Sequence, residues 1–124
     1  MYKDQVLIPD VHIFIPRHIS PNNNVYENFI ILMKQLHSQS IIILYKNPII
    51  KGLLQGHDLD YQSLRAFNNA KRKSNVVMTT KSFLGCGLEY SFDNLIILDE
   101  VSERIEDKLT SIFHPTNLWI LSES

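Results

Sequence analysis

Thr79, Thr80 and Lys81 follow one another at the end of a short apolar run, Val76 to Met78, and place hydroxyls and an ammonium side by side. Groups of this kind at a strand end bind phosphate without sequence preference, so the chemistry they suggest is contact with a nucleic-acid backbone. A second apolar run, Leu95 to Leu98, leads into Asp99 and Glu100. An acidic pair at a strand end can coordinate magnesium and position water, but it also favours the N-terminus of a following helix. Between the runs lie Gly85, Cys86, Gly87 and Glu89. Cys86 has no neighbouring base to activate its thiol and reads as structural.

Other chemistries find no support in the residues. No glycine-rich loop ending in Gly-Lys-Ser/Thr occurs, so the chain lacks the backbone cradle that holds nucleotide phosphates in hydrolysing enzymes. Gly85 and Gly87 form only G-x-G, short of a dinucleotide fingerprint. The histidines, His12, His18, His37, His57 and His114, are dispersed, with no pair at helical spacing and no C-x-x-C, which argues against a metal site. No nucleophile stands next to a base.

The elements that must position these groups alternate along the chain. Val11 to Ile15 reads as a strand ended by Pro16. Asn24 caps a helix with Glu27 three residues on, and Val25, Phe29, Leu32, Met33 and Leu36 recur along one face. Ile41 to Tyr45 is short and β-branched, hence a buried strand. Ile49 to Leu54 reads as a short helix stopped at Gly56, and Asp60 to Lys71 as a helix with Tyr61, Leu64 and Phe67 inward. The basic cluster Lys71, Arg72 and Lys73 would then sit at a helix C-terminus, favoured by the dipole, with a nucleic-acid contact as the rival role. The two apolar runs follow as buried strands joined by a loop or short helix. Val101, Ile105, Leu109 and Ile112 mark a further helix ended by Pro115, and Asn117 to Leu121 a last strand.

Alternation of this kind predicts an α/β fold: a three-layer, mostly parallel sheet of about five strands with helices on both faces, formed by residues 1–124 as a single domain. The strand ends at Thr79 and Leu98 are where such sheets bind ligands. With 124 residues, 44% hydrophobic, the chain can bury a sizeable core. Its net charge of −1 means that affinity for polyanions would need a local patch. One cysteine excludes an internal disulfide framework and fits a reducing, intracellular setting. No apolar run approaches membrane-spanning length, and the N-terminus lacks signal-peptide regions, so no membrane partner is expected.

Several stretches, taken in order, resemble the second RecA-like domain of superfamily 2 helicases and translocases. HSQSIIILYKN is similar to the family's k-x-I-I-F strand, LRAFNNA to its R-x-F-like helix, and NVVMTTKSFLGCGLEYSFDNLIILD to its V-L-V-x-T strand, glycine pair and acidic residue. In that match Thr80 stands at the threonine, Gly87 and Leu88 at G-L, and Glu89 where Asp is usual. The last stretch looks most like viral members, of the origin-binding replication helicase or poxvirus nucleoside triphosphatase type. The resemblance implies a DNA replication or transcription ATPase, in the host nucleus or cytoplasm if viral. It implies that Thr79, Thr80 and Lys81 contact single- or double-stranded nucleic acid, and that Gly85, Gly87 and Glu89 face a nucleotide. ATP and magnesium would be held only when a partner RecA-like domain supplies the phosphate loop. An alternative alignment places Asp99 and Glu100 as the acidic motif of the first domain. The family's arginine-rich Q-x-x-G-R-x-x-R helix has no counterpart: the region reads SERIEDKLTSIFHPTN, with Arg104 its only arginine. The chain alone is therefore not expected to hydrolyse ATP. The reading from a different class is a non-catalytic, doubly wound interaction or adaptor module.

Overall fold

The computed structural model describes residues 10–13, 25–83 and 88–121. Their order is β1 (Asp10–Ile13), α1 (Val25–Gln35), β2 (Ile41–Tyr45), α2 (Ile49–Gly56), β3 (Gln62–Ser63), α3 (Leu64–Asn69), β4 (Val76–Thr79), a 3₁₀ turn (Lys81–Phe83), β5 (Asn94–Leu98), α4 (Glu103–Phe113) and β6 (Asn117–Ile120). The strands form one six-stranded sheet in the order β1-β6-β5-β2-β4-β3, and every pairing is parallel. The expected strands all form, and β3 is added at an edge. Phe14 and Ile15, expected to extend the first strand, and the expected cap Asn24 lie outside the described residues.

β2 holds the centre because it can be covered on both faces. Ile41, Ile42, Ile43 and Leu44 are all fully buried. Successive side chains of a strand point to opposite faces. Ile41 and Ile43 accordingly join Phe29, Leu32 and Met33 of α1 and Ile50 and Leu54 of α2. Ile42 and Leu44 join Leu64 of α3 and Leu109 and Phe113 of α4 on the other face. Burying each such side chain contributes about 1.5–3 kcal/mol, so the apolar strands supply much of the driving force for the three layers.

One element departs from the expectation. The helix expected from Asp60 to Lys71 is instead the edge strand β3 followed by six residues of α3. Ser63 sets the start: its hydroxyl accepts from the Ala66 amide at 3.1 Å and caps the helix. Gln62 is drawn into the sheet by its side chain, which accepts from the Ser74 amide at 2.7 Å and donates to the Arg72 carbonyl at 3.4 Å. At the other end Ala70 is already extended, at φ −83° and ψ 143°. Lys71, Arg72 and Lys73 thus stand in the turn beyond the helix, and the dipole reading of that cluster is corrected.

α4 follows its sequence signals closely. The Ser102 hydroxyl accepts from the Ile105 amide at 3.2 Å, Glu103 and Glu106 occupy the first turn, and His114 closes the helix in the left-handed region at φ 44°. No described helix is long and apolar enough to cross a membrane.

Candidate functional site

The topology marks one crevice. β2 leads through α2 towards β3 and β4, whereas its neighbour β5 leads through α4 to β6 on the other side. Adjacent strands whose connections diverge leave an opening at their carboxyl ends, and open α/β sheets bind ligands there. At that point the structure has a cleft of about 860 Å³, within the size range of ligand sites. Lys46, Asn47 and Pro48 form the wall after β2, and Leu98, Asp99, Glu100 and Val101 the wall after β5. Tyr26 and Glu106 close the sides.

Parallel pairing brings the expected groups to the same edge. Leu44 is in register with Thr79 on one side and Ile97 on the other, so Lys81 and Asp99, each two residues further on, emerge at the same edge just beyond Thr80. The Lys81 ammonium lies 3.5 Å from a carboxylate oxygen of Asp99 and donates to the Glu100 carbonyl at 3.1 Å. The Asp99 side chain is 4% exposed and that of Lys81 41%. An ammonium has three donors, so Lys81 keeps one free and faces solvent. Thr79 is buried, with its hydroxyl directed to the Thr80 carbonyl at 3.4 Å. The Thr80 hydroxyl shares a hydrogen bond of 2.8 Å with Ser82.

The electrostatics of the cleft are acidic. Asp99, Glu100 and Glu106 face Lys46 across it, and Glu103 joins Glu106 at the start of α4. Burial, followed by repulsion from Asp107 and Glu103, pushes the Glu106 carboxyl above its ordinary range. These carboxylates already complement the positive end of the α4 dipole, which removes that helix end as an anion site. At α2, Asn47 accepts from the Ile49 amide at 3.0 Å, and the Asn47 and Pro48 carbonyls accept from the Ile50 and Lys51 amides. The chain's own residues therefore do not make a triphosphate cradle. Among the described residues no group of three or more His, Cys, Asp or Glu is placed to hold a metal ion. Asp99, the first residue of the acidic pair, is committed to Lys81.

Glu89 lies elsewhere. It is 3.2 Å from His114, past the C-terminus of α4, whereas Asp99 and Glu100 precede its N-terminus. A helix of this length spans roughly 16 Å. Glu89 thus reaches the cleft only across the length of α4. Gly85, Cys86 and Gly87 lie outside the described residues. Arg104 is exposed on α4 and makes no ion pair among the described residues.

Lys46, Asn47, Tyr26 and Glu106 line the cleft although no motif in the sequence singles them out. The one signal for them was positional: Lys46 and Asn47 directly follow the most apolar strand, and the carboxyl end of a central parallel strand is where ligands sit. No protein-family model matches the chain, and no curated protein is detectably similar to it, so the cleft's chemistry stands on its own residues.

Proposed function

We propose that the chain is a helicase-type RecA-like domain that works against a second, phosphate-loop-bearing domain and contacts a nucleic-acid backbone at Thr80 and Lys81, with the buried Thr79 supporting the strand end beneath them. The observation that carries this reading is the meeting of Lys81, next to Thr80, with the cleft residue Asp99 at the switch point of an all-parallel sheet. Asp99 orients Lys81, and the remaining donor of its ammonium can reach one phosphate oxygen. ATP and magnesium belong to the partner domain, because the acidic cleft of this chain repels a triphosphate. Binding by so few groups is weak, and its log-log salt slope is shallow, roughly −0.7 for each phosphate neutralised on a single strand.

Titrating the chain with oligothymidylate while following backbone amide shifts tests the reading. Changes at Thr80, Lys81 and Glu100 that Lys81→Ala removes are expected, and unperturbed amides throughout that edge would refute it. A non-catalytic interaction module is the second reading. It draws on the acidity of the cleft, which suits a lysine- or arginine-bearing protein segment better than phosphate.

A further inference from the structure

One stretch of this chain carries positive charge without acidic residues. From Tyr61 to Leu88 the sequence holds Arg65, Lys71, Arg72, Lys73 and Lys81 and neither Asp nor Glu, although the whole protein carries a net charge of −1. Three of these cations, Lys71, Arg72 and Lys73, follow one another in the turn between α3 and β4, and all three are exposed. None belongs to either ion pair found among the described residues, which are Lys81 with Asp99 and His114 with Glu89. We propose that this turn is a polyanion-binding surface that takes the phosphate backbone of a nucleic acid.

The turn is held in shape before any ligand arrives. Gln62 grips it from β3 through the Ser74 amide and the Arg72 carbonyl, and the Ser74 hydroxyl accepts from the Val76 amide at 3.2 Å. The Lys73 ammonium stands 4.6 Å above the ring of Phe67, which in turn packs 5.6 Å from Phe92. A cationic loop fixed in this way loses little conformational freedom on binding. Arg72 adds a planar guanidinium group, which can meet phosphate oxygens in bidentate fashion.

The neighbourhood narrows the kind of anion. A cleft of about 490 Å³ opens beside the turn, with Arg72 and Lys73 on one wall and Asp58 and Asp60 on the other. The acidic wall repels phosphate and confines a backbone to the α3 side. A membrane surface would also need apolar side chains to insert, but the exposed large ones among the described residues are Ile31, Ile49 and Leu88, all outside this turn. A repeating row of phosphates fits a short row of exposed cations better than the irregular charges of an acidic protein. The surface lies at the amino end of β4, whereas Thr80 and Lys81 follow its carboxyl end. The inference therefore does not depend on the reading of the cleft.

Fluorescence anisotropy of labelled oligothymidylate with the full chain, across a series of salt concentrations, tests it. Three contacts give a log-log slope of about −2, and Lys71→Ala/Arg72→Ala should weaken binding roughly tenfold and reduce the slope by about 1.4. The fold should survive, since both side chains are exposed and make no hydrogen bond or ion pair among the described residues. Asp60→Asn should tighten binding. The inference falls if the parent chain does not bind at low salt, if the double variant binds like the parent, or if phosphatidylserine vesicles or polyglutamate compete as well as the oligonucleotide does. Thr80→Val/Lys81→Ala reports separately on the cleft. Loss in that variant alone leaves the cleft reading standing without this one, and loss in the turn variant alone does the reverse.

Discussion

The two ends of the sheet use their polar groups in opposite ways. At the amino end of β2 and β5 they are spent on one another. Ser40 and Asp93 exchange bonds, the Ser40 amide to the carboxylate at 3.1 Å and the Asp93 amide to the hydroxyl at 2.8 Å. Beneath them the fully buried Asn94 donates to Gln39 at 2.8 Å and accepts from the Trp119 indole at 2.9 Å. At the carboxyl end the same strands finish in an open, acid-lined cleft where an ion pair joins Lys81 to Asp99. Bonds closed within the protein lock strand register, whereas groups left at a cleft stay available to a partner. The amino end is therefore expected to govern stability and the carboxyl end binding.

The sharpest way to break that contrast is Asn94→Ala. It removes a fully buried amide that bonds the half-buried Gln39 and Trp119 and opens a small void, so urea unfolding should show a loss of about 2 kcal/mol. A loss below about 1 kcal/mol would mean that the amino end is not the lock. Ser40→Ala deletes one half of the reciprocal pair and should cost about 1 kcal/mol by the same measurement.

At the carboxyl end the effects on stability shrink and those on binding grow. Asp99→Asn removes the charge opposite a half-exposed lysine, so it should cost under about 1 kcal/mol and less still in high salt. It should also tighten oligothymidylate binding, by releasing the Lys81 ammonium. Purified chain should show no ATP turnover. Turnover that Asp99→Ala abolishes would reverse the assignment of roles and favour the first-domain alignment.

The smallest effect is that of Glu106. Its carboxyl is raised above the ordinary range by burial and by neighbouring acids, so the folded state binds its proton more tightly than the unfolded state does. The resulting stabilisation is complete below the ordinary glutamate range and is lost as the pH rises through the raised value. At neutral pH the ionised group is a burden, and Glu106→Gln should raise stability by less than about 0.5 kcal/mol after allowance for solvent screening. Thermal melts of variant and parent should converge below about pH 3.5, under the ordinary glutamate range, where the parent is protonated in both states.

Strong local signals and the structure agree. Ile41–Tyr45, Val76–Thr79 and Asn94–Leu98 form strands where apolar runs are too short for helices, and α4 starts one residue after Ser102. The segment from Asp60 to Lys71 misled because Tyr61, Leu64 and Phe67 keep helical spacing while Gln62 answers to Ser74, a residue beyond the end of the helix expected there. The pairing of β3 with β4 has no trace in local periodicity. The candidate site was legible to the same degree: the hydroxyls and the carboxylates could be placed at strand ends, but their pairing could not.

Local preference was thus determined by the chain itself: which segments extend, which coil, and that strands and helices alternate into an α/β fold. These follow from side-chain shape and the spacing of apolar residues, properties of a few neighbouring positions. Tertiary structure alone decided that β2 lies between β4 and β5, that Lys81 meets Asp99, and that the cations of the α3–β4 turn stand on the surface outside the ion pairs of the described residues. Each of those outcomes depends on the order and register of strands distant in sequence, which only burial of both faces of the sheet selects.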